Sequence, residues 1–253
     1  LIKIADRLHN MRTLDSMKRE KQLKIAGETD FMYAPLAHRL GLYAIKSELE
    51  DLSLRYRQPE QYAEIEQKLR KTKAVRTRFI NSFAAPIKEA LDKEGLKFSI
   101  KGRPKSIASI WNKMQKQRVS FEDIYDIFAI RIILDTPPEQ EKSDAWRTYS
   151  VVTDFYPPNP DRLRDWISIP KANGYESLHT TVMSPTGKWV EVQIRSERMD
   201  ELAEKGYAAH WRYKGQRADS RLDQWIGQIL EVIEGGEDSA LEFVDELKLD
   251  LFN

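Results

Sequence analysis

The sequence contains no cysteine. Disulfides, thiolate zinc sites and cysteine nucleophiles are thereby excluded, and a reducing, cytoplasmic setting is the expectation. No apolar run approaches the roughly 20 residues that span a bilayer, so no membrane partner is expected. The glycines never fall into G-x-G or G-x-x-x-x-G-K-[ST]. That excludes the dinucleotide fingerprint, the kinase-type glycine loop and the P-loop. The four histidines (His9, His38, His179, His210) form no H-E-x-x-H, and none precedes an aspartate. Neither charge is in surplus: 41 Lys and Arg stand against 40 Asp and Glu, so bulk charge names no partner.

What is present is a chain of 253 residues, 41% hydrophobic. A real core is affordable, in one large domain or two modest ones. The chain opens with Leu1 inside an apolar-periodic segment, so no signal peptide is expected and the natural start is expected upstream. Charge is clustered. Lys97 to Arg118 holds seven basic residues and no acid, whereas Glu231 to Asp250 holds eight acids and one lysine. The basic block suits a polyanion, and the acidic one a solvated helical face.

Apolar spacing predicts helix over residues 1–14, with Leu1, Ile4, Leu8 and Met11 on one face and Asp6, Asn10 and Thr13 on the other. Residues 29–58 read as helix interrupted at Pro35 and Gly41. Residues 60–94 read as one long helix kinked or divided by Pro86. After Gly95 the period changes. Residues 96–100 alternate like a strand. Helix is expected over 106–118, a buried strand over 127–134 and helix over 144–155. A proline-rich loop follows over 156–176, then a hairpin over 180–184 and 188–195. Helices are expected over 197–214 and 220–233. The fold class is therefore α+β, an all-α segment followed by a mixed sheet with flanking helices.

Three groups of residues carry chemistry. Lys101-Gly102-Arg103-Pro104-Lys105-Ser106 lies between a predicted strand and a predicted helix. Arg103 offers a fork and Lys105 a point charge for phosphate, and Ser106 is placed to cap a helix whose N-terminus favours anions. Ser109 and Lys113 continue on that helix's face. Asp126 precedes the apolar strand, and Arg131 inside it needs a partner or a ligand. In WVEVQIR, Glu191, Gln193 and Arg195 face away from Val190, Val192 and Ile194. That pattern fits an ordinary half-exposed strand. It also leaves Asp126 and Glu191 able to hold Mg2+, which prefers carboxylate and phosphate oxygens. Finally, Lys171, Asn173, Tyr175 and His179 crowd a cation, an amide, a ring and an imidazole into one loop, able to stack and read a base. An Asn-Gly turn with a packed tyrosine gives the same pattern.

KGRPKS, YDIFAIR, DWISIPKANGYESLHT, VEVQIR and EKGYAAHWRYK occur in that order. Together they resemble the synthetase domain of the long RelA/SpoT homologues, the enzymes that make and degrade (p)ppGpp. The opening LIKIADRLHNMRTL, with YAPLAHRLG after it, resembles the end of that family's HD-type hydrolase domain. The resemblance implies a nucleotidyltransferase-like synthetase fold and transfer of the β,γ-pyrophosphoryl group of ATP to the 3′-hydroxyl of GTP or GDP, releasing AMP. It implies ATP phosphate contacts at Arg103, Lys105, Ser109 and Lys113, and Mg2+ at Asp126. Glu191 would meet the metal or act as base. Tyr175 would stack on guanine, with Lys171, Asn173 and His179 around the acceptor nucleotide. Arg162-Leu163-Arg164-Asp165 resembles the basic motif of bifunctional members. Ser106 and Glu176 stand where the family commonly has His and Gln.

By the same resemblance, residues 1–58 are the hydrolase remnant and linking helices, 59–218 the synthetase domain, and 219–253 a helix and acidic linker toward a regulatory region. Ribosome or regulatory contacts would run only through that region, and no direct nucleic-acid contact is expected. The hydrolase site is incomplete. Of its Mn2+ ligands only Asp6 has a match, with Asn10 and Thr13 near the nucleotide, so hydrolysis is expected only of the full-length protein. The first helix, lacking upstream neighbours, is expected to have a partly bare apolar face. Two rivals are a nucleotidyltransferase acting on nucleic acid, disfavoured by the lack of Asp-x-Asp, and a non-catalytic guanine-nucleotide-binding regulatory fragment.

Overall fold

The computed structural model describes residues 2–124 and 127–205. Asp126, the domain expected over 219–253 and the helices expected beyond residue 205 lie outside them. Ile4, Leu8 and Met11 recur at helical spacing and build α1 (Ile2–Arg12). Their face is not bare as expected. All three are buried, because α1 packs on α4 (Tyr43–Arg57). Arg12 reaches across to Glu48 of α4 with two hydrogen bonds, 2.6 and 2.8 Å.

Between these helices run α2 (Arg19–Glu28), a π-helical turn (Thr29–Tyr33) and α3 (Ala34–Arg39). Pro35 does not interrupt α3. It sits in the first turn of α3, directly after the π-helical turn. Gly41, with φ of 70°, makes the break before α4.

Residues 60–94 do not form one helix divided at Pro86. They form α5 (Pro59–Lys71) and α6 (Lys73–Lys93), with Pro86 inside α6. The division falls at Thr72, whose hydroxyl donates to the Lys68 carbonyl at 2.9 Å. The Thr72 N–H donates to the same carbonyl at 3.1 Å. Pro86 brings no N–H to the Ser82 carbonyl. The next carbonyl, that of Phe83, instead receives the Tyr156 hydroxyl at 2.9 Å, while the Phe83 and Tyr156 rings stack at 4.1 Å.

The sheet has five strands in the order β1-β2-β5-β4-β3: β1 (Phe98–Pro104), β2 (Phe128–Leu134), β3 (Arg164–Asp165), β4 (Leu178–Met183) and β5 (Trp189–Ser196). It is mixed, since β2 and β5 are parallel and the other neighbours antiparallel. α7 (Ile107–Gln117) follows β1, α8 (Glu141–Phe155) follows β2, and α9 (Glu197–Lys205) follows β5. The first strand runs past its expected end, so Lys101, Gly102 and Arg103 are strand residues. Gly102 allows α6 to lie close: a Cβ there would come within 2.3 Å of Ile80 Cδ1.

Residues 156–176 form a loop tied to the sheet. Pro158 bridges Val182, Asn159 N–H donates to the Thr181 carbonyl at 2.8 Å, and β3 pairs with β4.

Alternation along the strands separates two sheet faces. Ile130, Ile132, Val190, Val192, Ile194 and Leu178 pack against Phe83 and Ile87 of α6 and Val152 of α8. A second core joins Ile65 of α5 to Ile107 and Ile110 of α7. The opposite sheet face carries polar residues in register: Lys101, Arg131, Gln193, His179 and Arg164 form one row across all five strands. No described helix is long and apolar enough to cross a membrane. Tyr156→Phe keeps the ring stack and removes only the bond to Phe83. It should cost about 1 kcal/mol, read from chemical denaturation. An unchanged midpoint would mean that the bond adds nothing to stability.

Candidate active site

The polar sheet face is built around two buried guanidinium groups. Arg131 on β2 donates to Asp200 and Glu204 of α9, each at 2.9 Å. Arg195 on β5 is 1% exposed. It was expected on a half-exposed outer face, but α9 and the loop before β4 cover it. It donates to the Tyr175 hydroxyl at 3.0 Å and to Gln193 Oε1 at 2.9 Å, and lies 3.4 Å from Asp200. Asp200 and Glu204 are four apart, so they share one face of α9. Burial works to raise the Glu204 pKa. The hydrogen bond from Arg131 and the charge of Arg103 outweigh it and hold Glu204 below the usual carboxylate range.

Most of the predicted residues converge beside this pair. Arg103, on β1, lies 3.6 Å from Glu204. Lys105 follows the strand, and its backbone N–H donates to the Ile127 carbonyl at 2.8 Å. Its ammonium lies 3.9 Å from Glu191 on β5. The other Glu191 oxygen accepts from Gln193 at 2.8 Å and lies 3.6 Å from His179 Nδ1 on β4. One carboxylate therefore stands between the basic segment and the aromatic loop.

That loop is a cluster of rings. Tyr175 meets Tyr43, Trp166 and His179 edge-on at centroid distances of 5.4, 5.8 and 5.9 Å. Lys171 sits 4.1 Å above the Trp166 ring and 5.5 Å from that of Tyr175. Although Lys171 is exposed by area, its ammonium is crowded enough by these rings to have a lowered pKa. The Tyr175 hydroxyl bonds His179 Nε2 at 2.8 Å. Asn173 Nδ2 donates to the Tyr43 hydroxyl at 2.8 Å, and its Oδ1 accepts from the Tyr175 N–H at 3.2 Å. Burial, then the charges of Arg195, Lys171 and Arg131, push His179 down to about 3, so its imidazole is neutral at pH 7.

The expected anion site at the start of α7 is already filled from within. Ser106 caps the helix by accepting from the Ser109 N–H at 3.2 Å. A carboxylate oxygen of Asp51, on α4, accepts from the Ala108 N–H at 2.8 Å. Burial raises the Asp51 pKa against those helix N–H bonds. Ser109 also accepts a hydrogen bond from the Ser106 hydroxyl, at 2.7 Å, and Lys113 lies further along α7. Asp6 and Asn10 share the exposed face of α1, as their spacing predicts, and Thr13, also exposed, lies just past its end. Among the described residues no cluster of three or more His, Asp or Glu side chains could hold a metal.

Sequence reasoning missed Tyr43, Trp166, Asp200 and Glu204. The two acids at helical spacing near a strand with an interior arginine were a usable signal. Tyr43 gave none, since its partner is 130 residues away.

Residues 102–218 match the region found in RelA / SpoT proteins, and residues 1–43 match an HD domain. A Myxococcus xanthus protein named GTP pyrophosphokinase is 44% identical over 256 residues, covering all of this chain and 33% of its own length. The Escherichia coli K12 protein named bifunctional (p)ppGpp synthase/hydrolase SpoT is 40% identical over 257 residues, covering all of this chain and 36% of its own length. The chain belongs to the RelA/SpoT family. It spans about a third of the length of these curated RelA/SpoT relatives. The small alarmone synthetase 1 of Bacillus subtilis, solved bound to its product pppGpp, is 20% identical. The likeness covers 68% of this chain and 99% of that one, with a TM-score of 0.42.

In this RelA/SpoT chain, the neutrality of His179 has a pH consequence. Its pKa of about 3 in the folded chain lies below the ordinary 6.5, so the unfolded chain binds the extra proton first as pH falls. The associated stability is present above about pH 6.5 and is lost toward pH 3. Between pH 7 and pH 5 the parent chain should lose about 2 kcal/mol that His179→Gln does not lose. Equal losses in denaturant titrations would show that His179 protonates freely in the folded state.

Proposed function

We propose that the chain is a GTP or GDP pyrophosphokinase, moving the β,γ-pyrophosphoryl group of ATP to the 3′-hydroxyl of the guanine nucleotide to give (p)ppGpp and AMP. The observation that carries the reading is the position of Glu191. One of its oxygens lies 3.9 Å from Lys105, and the other 3.6 Å from His179. A carboxylate between a phosphate-holding segment and a base-holding loop stands where the acceptor hydroxyl meets the β-phosphorus.

In this reading Arg103, Lys105, Ser109 and Lys113 hold the ATP phosphates, and Lys171, Asn173, Tyr175 and His179 hold GTP or GDP. The 3′-oxygen bonds to the β-phosphorus, the bond from that phosphorus to the α,β-bridging oxygen breaks, and AMP leaves with the electron pair. The hydroxyl proton passes to Glu191. Phosphoryl-type transfer asks mainly for positioning and charge neutralisation. A face with Arg103, Lys105, Arg131 and Arg195 supplies both.

The donor set also suits Mg2+, which binds through one or two carboxylates and substrate phosphates. Glu191 and Asp126 would hold it. It would neutralise charge on the transferring group.

The same reading makes residues 59–218 the synthetase domain and 1–58 the end of a hydrolase domain. The Mn2+ site of that hydrolase would add ligands upstream of Asp6. Reserving Glu191 for nucleotide binding alone is the second reading, a regulatory guanine-nucleotide-binding fragment. Glu191→Gln separates the two. It should leave ATP and GDP binding nearly intact and lower turnover by about 10²–10⁴-fold. Normal synthesis by this variant would remove Glu191 from the chemistry.

A further inference from the structure

Tyr43 begins α4, far in sequence from residues 102–218 that match the RelA/SpoT region. Its hydroxyl accepts from Asn173 Nδ2 at 2.8 Å. The orientation of that amide is fixed by its other end, because the Tyr175 N–H needs an acceptor and meets Asn173 Oδ1 at 3.2 Å. Gly174, with φ of 75°, closes the turn, and the Lys171 N–H donates to the Tyr175 carbonyl at 3.1 Å. The Tyr43 ring also lies edge-on to Tyr175, with centroids 5.4 Å apart. Behind it the His38 ring packs edge-on at 5.4 Å, so Tyr43 is itself braced from α3. Burial raises the Tyr43 pKa, which keeps the hydroxyl protonated.

Tyr175 thus has two supports from opposite sides. Its hydroxyl is held by Arg195 and His179. Its backbone and ring edge are held by Asn173 and Tyr43. The first comes from the sheet beneath the loop. The second reaches the loop from α4, outside the sheet.

We propose that Tyr43 is a positioning residue for the guanine-nucleotide loop, fixing Asn173 and through it the angle of the Tyr175 ring. The proposal rests on Tyr175 and Asn173 belonging to the guanine-nucleotide site. A misplaced platform loses binding in the ground state and the transition state alike, so the effect falls on KM rather than kcat.

The test uses this chain with GDP and ATP, titrated separately by calorimetry and then in steady state. Tyr43→Phe keeps the ring and removes the acceptor. It should weaken GDP binding and raise KM for GDP by about five- to tenfold, the usual worth of one hydrogen bond. ATP affinity, kcat and the thermal midpoint should stay close to the parent values. Asn173→Ala combined with Tyr43→Phe should be no worse than Asn173→Ala alone, because the two act as a unit. Unchanged GDP affinity in Tyr43→Phe, or additive losses in the double variant, would overturn the positioning role while leaving the nucleotide site standing. A parent chain that binds ATP but not GDP would sink the reading of the loop itself, and this proposal with it.

Discussion

Two positive charges inside a sheet set the terms for everything around them. Arg131 and Arg195 occupy neighbouring strands on one face and are almost wholly buried. An unpaired guanidinium in such a place is costly enough that the surrounding chain must supply acceptors. Asp200 and Glu204 draw α9 over β2 and β5, and the Tyr175 hydroxyl draws in the loop before β4. His179 stays neutral, held so first by burial and then by the charges of Arg195, Lys171 and Arg131.

The helical half of the chain provides the rigidity that this arrangement requires. α4 contributes at both ends of the site. Near its start Tyr43 meets the aromatic loop, and just past its middle Asp51 caps α7. Such contacts over long sequence separations hold a loop to less than the slack a solvated turn allows, and small displacements at a reacting centre are expensive. The core beneath the opposite sheet face, with α6 and α8 packed on β2, β4 and β5, keeps the strand register fixed.

Much of this was legible beforehand, and the misses have physical reasons. Period-two and period-3.6 spacing located β2, β4, β5, α1, α7 and α8 to within a few residues. The interior arginine of β2 announced that it needs a partner or a ligand, without saying which. Helix termini were harder. Pro86 looked like a divider, yet α6 runs through it, and the division fell at Thr72. The start of α7 carries the expected serine cap, and Asp51 of α4 holds a further N–H there. The stretch between Tyr156 and Glu176 read as a loop because its pairing is with β4, through the Pro158–Val182 bridge and β3. Local spacing carries no record of a partner strand further along the chain. The aromatic loop's residue types were plain, but their support by Tyr43 depends on tertiary folding alone.

The central claim is that this face moves an intact pyrophosphoryl group from one nucleotide to another. The most direct measurement supplies ATP labelled at both its β- and γ-phosphorus, with GDP and Mg2+, and follows both labels. The account predicts that the two labels arrive together on the 3′-oxygen of guanosine, with AMP formed in equal amount. Transfer of the γ-label alone, or ADP as the coproduct, would contradict it.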